Sequence, residues 1–128
     1  MTNERDRIIV AEDDDAMLDL SLEILKQRFG QFKFESFSDG TSLEKRLNEG
    51  VGNVRLVITD NEMPGSSGSQ LIRKYAAQPE FSGIKFILCY GGDNKIGERA
   101  LEEGAYAFIK KPYSVDVYVN VLEKALDL

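Results

Sequence analysis

The sequence predicts an α/β domain: a parallel sheet with helices packed on both of its faces. Three observations carry this. Short apolar runs rich in β-branched residues alternate five times with segments whose apolar residues recur every three or four positions. The best-defined runs are unbroken rather than alternating, the pattern of strands covered on both faces. No repeat, linker or low-complexity segment interrupts the series, and alternation of this kind implies right-handed crossovers.

The first strand is Ile8 to Ala11 (Ile-Ile-Val-Ala). Met17, Leu18, Leu20, Leu22, Ile24, Leu25 and Phe29 follow at the spacing of an amphipathic helix, which Gly30 ends. Phe32, Phe34 and Phe37 define a short strand, and Ser38-Asp39-Gly40 a turn. Leu43 and Leu47 lie on a weaker helix closed by Gly50 and Gly52. Leu56, Val57 and Ile58 form a fully apolar strand running into Thr59-Asp60. After a loop with Pro64, Gly65, Ser66, Ser67 and Gly68, a helix carries Leu71, Ile72 and Tyr75 as far as Pro79. Ile84 to Cys89 is the fourth strand, and Gly91-Gly92-Asp93-Asn94 opens a short helix with Ile96, Ala100 and Leu101, ended by Gly104. Tyr106 to Ile109 is the fifth strand, Lys111-Pro112 a break, and Val115 to Leu126 the last helix.

The 128 residues suit one domain, read here as spanning 1–128. A chain of this mass buries roughly two-thirds of its extended surface, enough for a core without staples. Sixteen Lys and Arg against 22 Asp and Glu give a net charge of −6, which argues against direct nucleic-acid binding. Histidine is absent, which excludes Ser-His-Asp and Cys-His catalysis, His-ligated metals and an internal phosphohistidine. One cysteine forms no internal disulfide, so a cytoplasmic setting is the expectation. No apolar run approaches a membrane span, and the polar start at residues 1–7 reads as no signal peptide.

In open parallel sheets, ligands bind beyond the carboxyl ends of the strands. The sequence sets Glu12, Asp13, Asp14 and Asp15 after the first strand, Asp60 after the third, Cys89 and Tyr90 after the fourth, and Lys110 and Lys111 after the fifth. Carboxylates held about 4 Å apart repel by on the order of 4 kcal/mol at an effective dielectric near 20. A bound proton or a cation relieves this. An oxygen-only donor set without His or a Cys cluster suits Mg²⁺ better than zinc. Lys111 supplies a compact positive charge for a phosphoryl oxygen, and Asp60 an oxygen nucleophile. These residues form a candidate phosphoacceptor site.

With Glu12-Asp13, Asp60, Met63-Pro64-Gly65, Gly68, Gly104-Ala105 and Lys111-Pro112 in this order at strand ends, the sequence resembles the receiver domain of bacterial two-component response regulators over essentially its whole length. The resemblance implies a CheY-like, flavodoxin-like α/β/α sandwich: a doubly wound five-stranded parallel sheet in the order 2-1-3-4-5. It implies that Asp60 is phosphorylated from a partner's phosphohistidine, with no turnover enzyme activity beyond its own phosphorylation and dephosphorylation. Asp13 is then a direct Mg²⁺ ligand and Glu12 acts largely through water. Asp60 and the backbone carbonyl of Glu62 complete the metal's protein ligands. Lys111 matches the family's lysine, its bond to Pro112 is often cis in relatives, and Phe108 holds the place of the switch aromatic. The implied partners are a sensor histidine kinase or phosphotransfer protein, and a downstream protein met through the fourth helix, fifth strand and fifth helix (Ile96, Tyr106, Val115 and Tyr118). No output domain is present in the chain, and no membrane partner is expected.

One departure is informative. Cys89 stands where receivers usually carry Ser or Thr, and a thiol is a poor donor by comparison. Losing one hydrogen bond to a charged group is worth about 1.5–3 kcal/mol. Tyr90 replaces the usual small neighbour and is expected to crowd the phosphoryl pocket. The alternative is therefore a degenerate receiver, an interaction module independent of phosphorylation. A haloacid-dehalogenase-like phosphatase using Asp13 and Asp15 is disfavoured by Met17, and an FMN carrier by the acidic loop. Asp14 and Asp15 read as surface residues that cap the first helix.

Overall fold

In the computed structural model, which describes residues 6–128, each of the five apolar runs is a strand. The strands are β1 (Arg7–Ala11), β2 (Lys33–Phe37), β3 (Val54–Asp60), β4 (Lys85–Tyr90) and β5 (Ala107–Lys110). All adjacent pairs are parallel, in the order β2-β1-β3-β4-β5. The helices are α1 (Asp15–Arg28), α2 (Gly40–Leu47), α3 (Gly68–Tyr75), α4 (Asn94–Glu102) and α5 (Val115–Ala125). The doubly wound sheet and its order therefore stand as expected. Residues 1–5, which include most of the polar start, lie outside the described residues.

Because side chains alternate across a strand, each strand feeds two cores. Ile8, Val10, Leu56, Ile58, Ile87, Cys89 and Ile109 pack against Leu25 and Phe29 at the end of α1 and Tyr118 and Leu122 of α5. Ile9, Ala11, Val57, Phe86, Leu88 and Tyr90 pack against Leu43 and Leu47 of α2, Leu71 and Ile72 of α3 and Ala100 of α4. Fully burying one such aliphatic side chain contributes about 1.5–3 kcal/mol, so the two layers carry most of the fold's stabilisation.

The helix starts use short polar caps. Asp14 accepts from the Met17 amide at 3.0 Å, and Asp39 from the Ser42 amide at 2.6 Å. Ser67 and Gln70 close a reciprocal capping box on α3. Asp14 and Asp15 are exposed, as expected of surface caps.

The first helix departs from the sequence reading. Leu20 is 49% exposed, whereas Ser21 is buried. The inward stripe is set by Leu25 and Phe29, and continuing it toward the N-terminus lands on Ser21 and Leu18, leaving Leu20 well over a third of a turn aside, toward the outer face.

Gly68 opens α3 directly against the end of β3. A Cβ there would overlap the Asp60 carbonyl oxygen and reach 2.8 Å from Leu88 Cδ1. Both neighbours are fixed, one by the sheet and one by the core. Gly68→Ala is accordingly expected to lose about 1–3 kcal/mol of stability, read as a lower urea midpoint with an unchanged m-value.

Candidate functional site

The parity that builds the α1–α5 core also builds the site. Continuing each strand's inward set past its last apolar residue gives Glu12 after Val10, Asp60 after Ile58, Cys89 after Ile87 and Lys111 after Ile109. Asp60 and Cys89 are register partners in adjacent strands. β1 and β3, adjacent in the sheet although β2 falls between them in sequence, form the switch point of strand order, and the carboxylates stand at their carboxyl ends.

Lys111 ties them together. Its Nζ lies 2.8 Å from Glu12 Oε1 and 3.0 Å from Asp60 Oδ1. The lysine backbone is fixed by its amide, which donates to the Tyr90 carbonyl at 2.7 Å. The Lys111–Pro112 peptide is cis, as the resemblance implied. Asp60 Oδ1 also accepts from the Asn61 amide at 3.0 Å, while the Asn61 side chain accepts from Ser69 at the start of α3. The Asp60 carboxylate is thereby held by its own loop, and that loop is tied through Asn61 to α3.

Glu12 and Asp60 are buried and Asp13 is exposed, yet one oxygen from each lies within 4.8 Å of the others. Three carboxylates and no nitrogen or sulfur donor form a hard set that fits a cation of the Mg²⁺ class. An open cavity of about 700 Å³ lies over them, bounded by Glu12, Asp13, Asp60, Glu62, Lys111 and Pro112 and walled by Met17, Leu20, Gly91 and Tyr113. Exposed Leu20 is thus part of the rim.

Burial raises the Asp60 carboxyl to about 6; its hydrogen bond from Lys111 opposes the rise, and repulsion from Glu12 adds to it. Burial works against the Lys111 charge too, but hydrogen bonds to Glu12 and Asp60 outweigh it and hold the ammonium above its ordinary range. Burial pushes the Cys89 thiol up to about 12, so at neutral pH it is a protonated, weakly donating group.

The structure brings Glu12, Asp13, Asp60, Glu62 and Lys111 to one cavity, with Cys89 immediately behind Asp60. Phe108 is partly buried and stands apart, on the opposite face of the sheet. Tyr90 does not crowd the site and is not among the residues that line the cavity over Asp60. It is 1% exposed and turned to that same opposite face, its ring 5.7 Å from the Phe108 ring. Strand alternation forces this, since a neighbour of Cys89 must point the other way. Gly97 on α4 leaves the room: a Cβ there would lie 2.6 Å from Phe108 Cγ and 2.7 Å from the Tyr90 hydroxyl. Of the four residues read as a possible partner face, Tyr106 and Val115 are exposed and Ile96 is half-buried, but Tyr118 is core. Sequence reasoning missed Asn61 and Ser21, both polar residues without a motif of their own. Only the helical phase of Leu25 and Phe29 signals that Ser21 faces inward.

Comparison with known proteins agrees with this arrangement. Residues 8–123 match the model of the response regulator receiver domain family, and the chain belongs to that family. It is 33% identical over 115 residues to the C4-dicarboxylate transport transcriptional regulatory protein DctD of Rhizobium meliloti, covering 88% of this chain and 24% of DctD. It is 32% identical over 119 residues to the transcriptional regulatory protein FixJ of Bradyrhizobium diazoefficiens, covering 93% of this chain and 56% of FixJ. The chain thus spans between a quarter and about half the length of these two relatives. The signal receiver domain of a DNA-binding response regulator from Colwellia psychrerythraea superposes with a TM-score of 0.85, over 96% of this chain and 99% of that one, at 19% identity.

Asp60 protonates more readily in the folded metal-free protein than in the unfolded chain, so its contribution to stability falls as pH rises from about 4 to about 6. Asp60→Asn should remove that fall and stabilise the metal-free protein at pH 7 by about 1–2 kcal/mol once solvent screening is allowed for. Thermal unfolding of both proteins across this pH range measures it.

Proposed function

We propose that the chain is the phosphorylation-dependent receiver of a two-component system, accepting a phosphoryl group on Asp60 and altering its affinity for a downstream protein. The observation that carries this reading is the convergence of Asp60, Glu12, Asp13 and Lys111 at one strand-end cavity. An Asp60 carboxylate oxygen forms the P–O bond while the P–N bond to a histidine kinase or phosphotransfer protein breaks, and the imidazole leaves with the electron pair. Asp13, Asp60 and the Glu62 carbonyl, with Glu12 acting largely through water, would hold Mg²⁺, which would neutralise phosphoryl charge. Lys111 holds a phosphoryl oxygen from the other side, and the Asn61 amide at 3.0 Å keeps the attacking carboxylate oriented. The protein is a signalling phosphoacceptor rather than a turnover enzyme, and its setting is the cytoplasm. None of its described helices is long and apolar enough to cross a membrane. Its output surface is the face of α4, β5 and α5, where Leu101, Tyr106, Val115 and Val117 are exposed.

Cys89 favours a second reading, a receiver that binds partners without responding to phosphate. A buried thiol pushed up to about 12 gives a phosphoryl oxygen no strong donor from β4. Clear shifts of the wild type at Phe108 and α4 on adding beryllofluoride with Mg²⁺ count against this second reading, and labelling tests the acceptor itself. A small-molecule phosphodonor with Mg²⁺ is expected to label the wild type and not Asp60→Asn; equal labelling of both removes Asp60 from the mechanism. Cys89→Thr is expected to strengthen the response of Phe108 and α4 to beryllofluoride by about tenfold, with Mg²⁺ affinity nearly unchanged. NMR titration reads both, and an unchanged response means the thiol does not limit coupling.

A further inference from the structure

Behind Asp60, on the α1–α5 side of the sheet, lies a second and much smaller cavity of about 10 Å³. Val10, Ala11 and Ile58 form part of its wall, and the rest comes from residues that carry polar groups: Glu12, Asp60, Cys89, Ser21, Tyr113 and Tyr118. Tyr118 is 1% exposed, and its hydroxyl has no hydrogen-bond partner among the described residues. The Ser21 hydroxyl approaches both tyrosines, yet completes no well-aligned bond to Tyr118. The Tyr118 ring is not free to turn elsewhere, because Tyr113 stacks on it at 5.4 Å and 9°.

Apolar cavities stay dry, whereas a polar one with room for one water sphere and two to four partners holds a water molecule. Buried hydroxyls are almost always satisfied in this way or by protein. We propose that this cavity binds one water molecule, which accepts from the Tyr118 and Ser21 hydroxyls and donates to the Glu12 and Asp60 carboxylates. Tyr118 is then a positioning residue for Asp60, acting through that water from the core of α5. The positioning role rests on Asp60 being the phosphoacceptor; the water site itself does not. The inventory balances: water offers two donors and two acceptor positions, and each carboxylate keeps lone pairs beyond those facing Lys111. This column supplies from α1 and α5 the polar support that Cys89 on β4 provides only weakly.

Tyr118→Phe tests it in the full chain, since it deletes one oxygen and keeps the ring. A high-resolution crystal structure of the wild type should show a water within about 3 Å of the Tyr118 hydroxyl. The variant should melt several degrees lower, and Mg²⁺-dependent labelling by a small phosphodonor should slow by about tenfold. Its half-saturating Mg²⁺ concentration should move by less than about twofold, which a general loosening of the site would not produce. A dry cavity, or a Phe variant that melts at or above the wild-type temperature, overturns the water site. A lowered melting temperature with wild-type labelling overturns the positioning role. Absence of label on the wild type, or label that survives Asp60→Asn, is the separate failure of the phosphoacceptor reading. The positioning role falls with it, while the crystal structure and the melting temperatures still decide the water site.

Discussion

Two carboxylates from adjacent strands share one ammonium: Glu12 at 2.8 Å and Asp60 at 3.0 Å from Lys111 Nζ, at the end of a sheet whose buried side chains are mostly apolar. Burial and repulsion from Glu12 oppose the charge on Asp60, and Lys111 offsets that cost because the strand that ends before it lies beside β4, next to β3. The parallel order therefore matters to the chemistry directly. If β5 were elsewhere, the acidic pair would face the core without its cation. Removing the Lys111 charge is the costly change, because it strands two buried carboxylates without their cation.

The same alternation that assembles these charges divides the end of β4 between two tasks. Cys89 faces the acidic site, and Tyr90 faces α4, filling space left by Gly97 beside Phe108. The two unusual residues of β4 thus act on opposite sides of the sheet. One borders Glu12 and Asp60; the other bears on how tightly α4 is seated. A substitution at either is expected to leave the other's environment largely intact, since the sheet separates them.

Much of this was legible in the sequence, for physical reasons that differ by element. β1, β3 and β4 are covered on both faces, so their runs are continuously apolar and their ends are marked by the first charged or turn residue. The strand-end placement of Glu12, Asp13, Asp60 and Lys111 followed from that alone, and their roles came from the family resemblance. α1 was read less well. Its many leucines hid the helical phase, so Leu20 was counted with the core and Ser21 was passed over. Tyr90 was misread because adjacency in sequence was taken for adjacency in space, which a strand denies. The exposure of Tyr106 against the burial of Tyr118 was not readable, because it depends on the docking of α5 against α1 and β5 rather than on any local pattern.

The central claim is that the acidic ends of β1 and β3 hold a divalent cation beside the Lys111 ammonium. A Mg²⁺ titration of the isotopically labelled protein, followed by amide NMR, tests it most directly. Saturable shifts centred on Glu12, Asp13, Asp60, Asn61 and Lys111, weakened at least tenfold in Asp13→Asn, are the predicted result. If those amides stay unmoved through millimolar Mg²⁺ while shifts scatter over the acidic surface, the strand ends hold no cation and the account fails at its base.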